Sequence, residues 1–265
     1  MAIDQVFSNL WNQYTDLNPQ AEVIHKLLEE RGEKVLNDHV AFRTYKHPKL
    51  GIETLARIFK KHGYVPKGEY HFEEKKLYAI HLEHKDLTQP KVFISELLVE
   101  KFPAHIQNII NSLCEKVPKS QTESDDFCVS GRPWDIDYKT YQELLNVSEY
   151  AGWMSAFGFC ANHFTVNVNA LKTFDTLADL NSFLKEKGFP LNSSGGEIKG
   201  SPSVFLEQSS TLAGHKKVSF NDGTFEIPSC YYEFAKRYSL PNGELYHGFV
   251  EKSADKIFES TDSKR

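Results

Sequence analysis

The sequence predicts an α+β fold in which two β-α-β-β-β modules form a half-barrel around a metal cleft, with flanking and inserted helices. Three observations carry this expectation. Asp38-His39-Val-Ala-Phe-Arg43 recurs in outline as Asn162-His163-Phe-Thr-Val-Asn167. Each copy is followed by a Thr-Leu-Ala segment (54–56 and 176–178) and a basic-Gly-aromatic stop, His62-Gly63-Tyr64 and Lys187-Gly188-Phe189. Each then closes on a strand-like run with a glutamate, Val92-Phe-Ile-Ser-Glu96 and Tyr231-Tyr-Glu233-Phe. Two such units pair across a pseudo-twofold axis and bring distant residues into one cleft.

Taken in order, residues 1–35 read as a helical cover. Val6, Leu10, Trp11 and Tyr14 make one apolar stripe, and Val23, Ile24, Leu27 and Leu28 make the next. Asn18-Pro19 separates them as an N-cap followed by Pro in the first turn, and Gly32 supplies the stop. The first module spans 36–100. His39, Ala41 and Arg43 share one strand face at a period of two, while Asp38 is expected on the other face, as is Asn162 in the second copy. Residues 53–62 return to helical spacing, and strands follow at 77–82 and 91–98, with room for another at 64–72.

A helical insertion at 101–158 interrupts the repeat, with an Ile109-Ile110 helix, an acidic loop at 123–126 and a helical stretch at 139–150. The second module, 159–238, holds a helix at 174–187 and strands near 203–208, 216–220 and 229–235. Gly195-Gly196 lacks the spacing of a phosphate-binding loop and reads as a turn. Residues 239–265 form a C-terminal helix (249–259) and a polar tail, Asp262-Ser-Lys-Arg265, expected to be disordered.

Composition excludes more than it assigns. The chain has 265 residues, 40 % hydrophobic and 25 % charged, ordinary for a soluble globular protein. A net charge of −5 with dispersed Lys and Arg gives no reason to expect nucleic acid or an acidic membrane surface as partner. No apolar run reaches transmembrane length and no signal-like segment opens the chain, so a cytoplasmic location with four reduced cysteines is expected. Nothing in the sequence sets the oligomeric state.

His39 and His163 open equivalent strands, which sets them apart from ordinary structural histidines. A divalent ion needs an anionic third ligand, and Glu233 on the last strand of the second copy supplies it. Two imidazoles and a carboxylate form a facial triad with open coordination positions, the usual set for non-haem Fe(II). The Irving–Williams order argues for Zn, Ni or Cu in vitro, and Mn or Co could also occupy such a site, so ligand identity is firmer than metal identity. Arg43 shares the face of His39, about 13 Å along at normal strand rise, and is either a clamp for a substrate carboxylate or the partner of an acid such as Glu96. Glu96 occupies, by repeat logic, the place of Glu233, and is expected near the cleft but off the metal. Gln208 and Ser209 could line the pocket as neutral donors or form a plain polar turn.

These residues carry a resemblance. The runs His39-Val-Ala-Phe-Arg43, Val92-Phe-Ile-Ser-Glu-Leu-Leu-Val99, Lys199-Gly-Ser-Pro202, Leu206-Glu-Gln-Ser-Ser-Thr211 and Tyr231-Tyr-Glu-Phe-Ala-Lys-Arg-Tyr238 resemble the DUF1338 family of the vicinal oxygen chelate superfamily. The resemblance implies an Fe(II) site with His39, His163 and Glu233 as ligands and Arg43 holding the far carboxylate of the substrate. It also implies a 2-oxo diacid and dioxygen as the small-molecule partners, with 2-oxoadipate oxidised to 2-hydroxyglutarate and CO2. A glyoxalase-like isomerase or lyase using Glu96 as an extra ligand, and a metal-free binding module of the same fold, are the competing readings.

Overall fold

A computed structural model of the chain describes residues 2–261; the polar tail expected at 262–265 lies outside the described residues. Two helices, α1 (Ile3–Leu17) and α2 (Pro19–Glu30), open the chain, with Pro19 in the first turn of α2 as its fixed φ favours. The first module follows as β1 (Asn37–Tyr45), α3 (Ile52–Lys61), β2 (Val65–Phe72), β3 (Leu77–Glu83) and β4 (Lys91–Leu97). The region 101–158 contains α4 (Ala104–Glu115), α5 (Lys119–Thr122), α6 (Tyr138–Val147) and α7 (Glu149–Phe157). Ser148 separates α6 from α7 and caps the latter by accepting from the Ala151 amide.

The second module is β5 (Ala161–Asn167), α8 (Leu177–Glu186), β6 (Lys199–Ser201), β7 (Leu206–Ser210), β8 (His215–Phe220), β9 (Gly223–Pro228) and β10 (Tyr231–Arg237). Thr176 and Asp179 form a reciprocal capping box that fixes the start of α8. The last helix is α9 (Glu251–Phe258), followed by a single tight turn at Glu259–Thr261. Among the described residues, no helix is long and apolar enough to cross a membrane.

Eight strands form one curled sheet in the order β2-β3-β4-β1-β5-β10-β7-β6. The order is palindromic about the antiparallel β1–β5 pair. β4 runs parallel to β1 as β10 does to β5, and each inner pair is flanked by antiparallel strands. This is the α+β half-barrel of two β-α-β-β-β modules that the repeat predicts. One expectation fails. The strand at 216–220 belongs not to the module sheet but to a separate hairpin, β8–β9. Its alternating burial, with Lys216 and Lys217 on a half-solvated ribbon, explains why it reads as a strand without joining the core. The short β6, carrying the left-handed Gly200, takes the outer position instead.

The central strands are buried on both faces, from Asp38 to Tyr45 in β1 and from Ala161 to Val166 in β5. On one face, α1 packs Trp11 edge-on against Phe164 with ring centroids 5.1 Å apart, and Tyr14 donates to the Tyr231 carbonyl at 2.5 Å. A tyrosine ring this deep contributes both apolar burial and a satisfied hydroxyl. On the other face, α7 sends Tyr150 across β1 and β4. Its hydroxyl accepts from the Thr44 amide at 2.9 Å and donates to the Ser95 carbonyl at 2.7 Å. The C-terminal α9 closes that same face further along. All four cysteines are buried free thiols, as expected of reduced residues.

Candidate metal centre

His39 on β1, His163 on β5 and Glu233 on β10 converge from both modules. One ligand atom from each lies within 4.8 Å of the other two. The His163 Nε2 to Glu233 Oε2 distance is 3.2 Å, and the His39 Nε2 to Glu233 Oε1 distance is 3.6 Å. Metal–ligand bonds of roughly 2.1 Å place adjacent donors about 3 Å apart, so the observed spacing needs little adjustment. All three residues are buried, Glu233 completely. Apart from its contact with His163, Glu233 Oε2 has no hydrogen-bond partner among the described residues. Burial raises the Glu233 carboxyl above its usual range, opposed by the nearby His39 and by Gln208, whose Nε2 donates to Oε1 at 2.6 Å. Burial likewise holds His163 well below the ordinary imidazole value, which favours the neutral, ligating form. A fully buried, half-satisfied carboxylate facing two imidazole nitrogens is the donor set that a divalent cation completes.

The residues preceding the histidines do not point away, as strict alternation expects. The β1–β5 register shifts between Asn37 and His39 and again opposite Asn162, so Asp38 and Asn162 sit in paired β-bulges. A bulge re-aims its side chain. Asp38 Oδ1 therefore lies 2.7 Å from His39 Nδ1, and Asn162 Oδ1 lies 3.0 Å from His163 Nδ1. Both rings thus turn Nε2 to the cleft.

Glu96 is not the counterpart of Glu233. In the first module His39 is paired with Lys91 and Ala41 with Phe93; in the second, His163 is paired with Tyr231 and Thr165 with Glu233. Superposing the histidines puts Phe93 where Glu233 stands. Glu96, an odd number of residues further on, faces the opposite side. There its carboxylate accepts from the Ile52 amide at 3.1 Å, at the electropositive start of α3. It is also not the partner of Arg43. The buried Arg43 guanidinium donates to Glu149 at 2.8 Å and to the Thr261 hydroxyl at 3.0 Å, and stacks over Tyr150 and Trp153. Among the described residues its Nε has no hydrogen-bond partner.

Gln208 and Ser209 separate. Gln208 lines the cavity, whereas Ser209, one residue on in β7, faces α8 and donates to Asn181 at 2.7 Å. Adjacent strand residues cannot share a face, so Ser209 is corrected from a pocket residue to an anchor for α8. The cavity beside the ligands is about 20 Å³, walled by Phe93, Phe249, Ala254, Ile257 and Phe258. A larger cavity of about 220 Å³, lined by Lys75, Lys76, Glu149 and Tyr150, shares Phe258 with it.

With this geometry in place, comparison with known proteins is decisive. The model of the family described as 2-oxoadipate dioxygenase/decarboxylase matches residues 6–127 and 126–245. The chain belongs to that family. It is 37 % identical to the 2-oxoadipate dioxygenase/decarboxylase of Oryza sativa subsp. japonica, over 97 % of this chain and 78 % of the relative. The crystal structure of the Oryza sativa hydroxyglutarate synthase in complex with 2-oxoadipate matches with a TM-score of 0.92 and 36 % identity, covering 98 % of this chain and 92 % of that one. A protein from Shewanella frigidimarina NCIMB 400 described as a putative hydrolase is 52 % identical, with a TM-score of 0.91, covering 94 % and 98 % of the two chains. Family membership makes the chain an enzyme, and the buried triad is a set that could hold a metal ion.

Proposed function

We propose that this protein is an Fe(II)-dependent dioxygenase/decarboxylase that converts 2-oxoadipate and O2 to 2-hydroxyglutarate and CO2. The observation that carries the reading is the convergence of His39, His163 and Glu233 in a family whose named members act on 2-oxoadipate. A metal held there would supply dioxygen activation and polarise the 2-oxo acid. The chain's own residues do the rest. Gln208 holds the Glu233 carboxylate in place, and Phe93, Phe249 and Phe258 keep the site dry. Arg43, on the His39 face, takes the distal carboxylate in this reading, since its fork matches a carboxylate bidentately. The isomerase reading required Glu96 as a fourth ligand, and Phe93 occupies that position instead.

The test is anaerobic Fe(II) reconstitution followed by oxygen-electrode assays of 2-oxo acids. Oxygen uptake with 2-oxoadipate and stoichiometric CO2 release is expected, and Ala at His39, His163 or Glu233 should abolish it in a folded protein. Turnover of a 2-oxo acid without oxygen consumption would overturn the reading.

A further inference from the structure

The two histidines of the triad are backed by different groups. Behind His163 stands a neutral amide, Asn162, whose Nδ2 is buried without a hydrogen-bond partner among the described residues. Behind His39 stands a carboxylate, Asp38, itself gripped by Arg237. The Arg237 Nε donates to Asp38 Oδ2 at 2.6 Å, and one terminal nitrogen donates to Oδ1 at 2.8 Å. The other terminal nitrogen donates to the carbonyls of Gly248 at 2.7 Å and Tyr246 at 3.1 Å. That tie fixes the segment carrying Phe249, whose ring stands edge-on to His39 at 4.8 Å and lies 5.1 Å beneath the Arg237 guanidinium. Asp38 and Arg237 are both buried. A buried ion pair is weak support for stability as such, because desolvation offsets the attraction. Its placement on the back of a ligating ring is what calls for an account.

We propose that Asp38 and Arg237 are a positioning pair for the metal, making His39 the stronger and more rigidly oriented donor and leaving His163 the weaker one. The inference rests on the metal-site reading above. The mechanism is local. An acceptor at Nδ1 fixes the proton there, so the Nε2 lone pair, 3.1 Å from the Thr165 hydroxyl in His39, is available to a metal. A charged acceptor also pushes electron density through the ring and makes it a stronger donor to a metal than an amide does. Arg237 grips both oxygens of Asp38, so the carboxylate is held facing the ring and does not compete as a ligand. On β4 of the first module Leu97 occupies the position equivalent to Arg237 by strand register, so Asn162 has no such partner and the device is confined to one histidine.

The test is Mn(II) and anaerobic Fe(II) binding by chelator competition, alongside 15N NMR of the imidazole nitrogens in metal-free protein. Asp38→Asn copies the arrangement behind His163: it keeps the acceptor and removes the charge. Expected are an unchanged His39 tautomer and about tenfold weaker metal binding. Asp38→Ala should in addition release the tautomer, seen as mixed Nδ1 and Nε2 protonation. Arg237→Lys keeps both charges and stands in if Asp38→Asn does not fold; it should weaken binding less, with the tautomer intact. Asn162→Asp should act in the opposite sense and tighten binding. Folded Asp38→Asn and Arg237→Lys proteins that bind metal within twofold of wild type would overturn the proposal while leaving the metal site standing. A wild-type protein that binds neither ion would overturn the site and the proposal together.

Discussion

A guanidinium as deeply buried as that of Arg43 must have a carboxylate near it, and in this structure the carboxylate is Glu149. Glu149 is partly exposed and Arg43 is not, so the acid can swing out while the base stays. A diacid reaching from the metal would then take over the position of Glu149. Arg43→Lys should lower kcat/KM for 2-oxoadipate by one to two orders of magnitude, about 1.5–3 kcal/mol, because an ammonium loses the fork. The same change should hardly affect 2-oxohexanoate, which lacks the second carboxylate. Glu149→Gln should lower KM for 2-oxoadipate, since a neutral amide competes less for the guanidinium. Equal losses for both substrates, with KM unmoved by Glu149→Gln, would make Arg43 purely structural. Sequence reasoning found Arg43 but could not find Glu149, which is 106 residues away and arrives on the inserted α7. It likewise missed Asp38 as a partner of His39, although Asp before one histidine and Asn before the other was the available signal.

At the scale of elements, the sequence was most legible where periodicity was unbroken. The helices of the N-terminal cover and the strands β3 and β4 fall within a residue or so of the expected bounds, because their apolar spacing has one solution. Legibility failed where strands bend or leave the sheet. The bulges at Asp38 and Asn162 break the count of two, and the β8–β9 hairpin has strand patterning without a place in the core. Ser209 was misplaced because a run of polar residues hides which face is which. The element with most bearing on turnover is α9. Its Ala254, Ile257 and Phe258 reduce the cavity to about 20 Å³, room for about one water. A six-carbon diacid therefore requires α9 to shift, and the Thr261 contacts to Arg43 and Glu149 are the latch that must release. Amides of 251–258 should exchange with deuterium faster than those of β5 in substrate-free protein, and slow when 2-oxoadipate is added with Mn(II). If α9 is as protected as β5 from the outset, the substrate reaches the site by another route.

On the scale of the whole molecule, the pseudo-twofold makes the metal a cross-link. His39 comes from the first module, His163 and Glu233 from the second, and the site straddles the antiparallel β1–β5 seam that joins them. Without a cation, the seam contains a buried carboxylate raised by desolvation and incompletely bonded. Binding to the native state alone should therefore stabilise the entire fold. At a free metal concentration of 100 times Kd the gain is about 2.7 kcal/mol. For a chain of this size, that corresponds to a rise in Tm on the order of 5–10 °C. Anaerobic Fe(II) or Mn(II) should produce the shift in scanning calorimetry, and EDTA should reverse it. His163→Ala and Glu233→Ala should abolish it, though each removes a ligand from a different strand of the same module. His39→Ala is the informative case, because it removes the only ligand on the first module's side of the seam. A Tm rise that persists in His39→Ala would mean that the ion binds within the second module alone, and the cross-link account would fail.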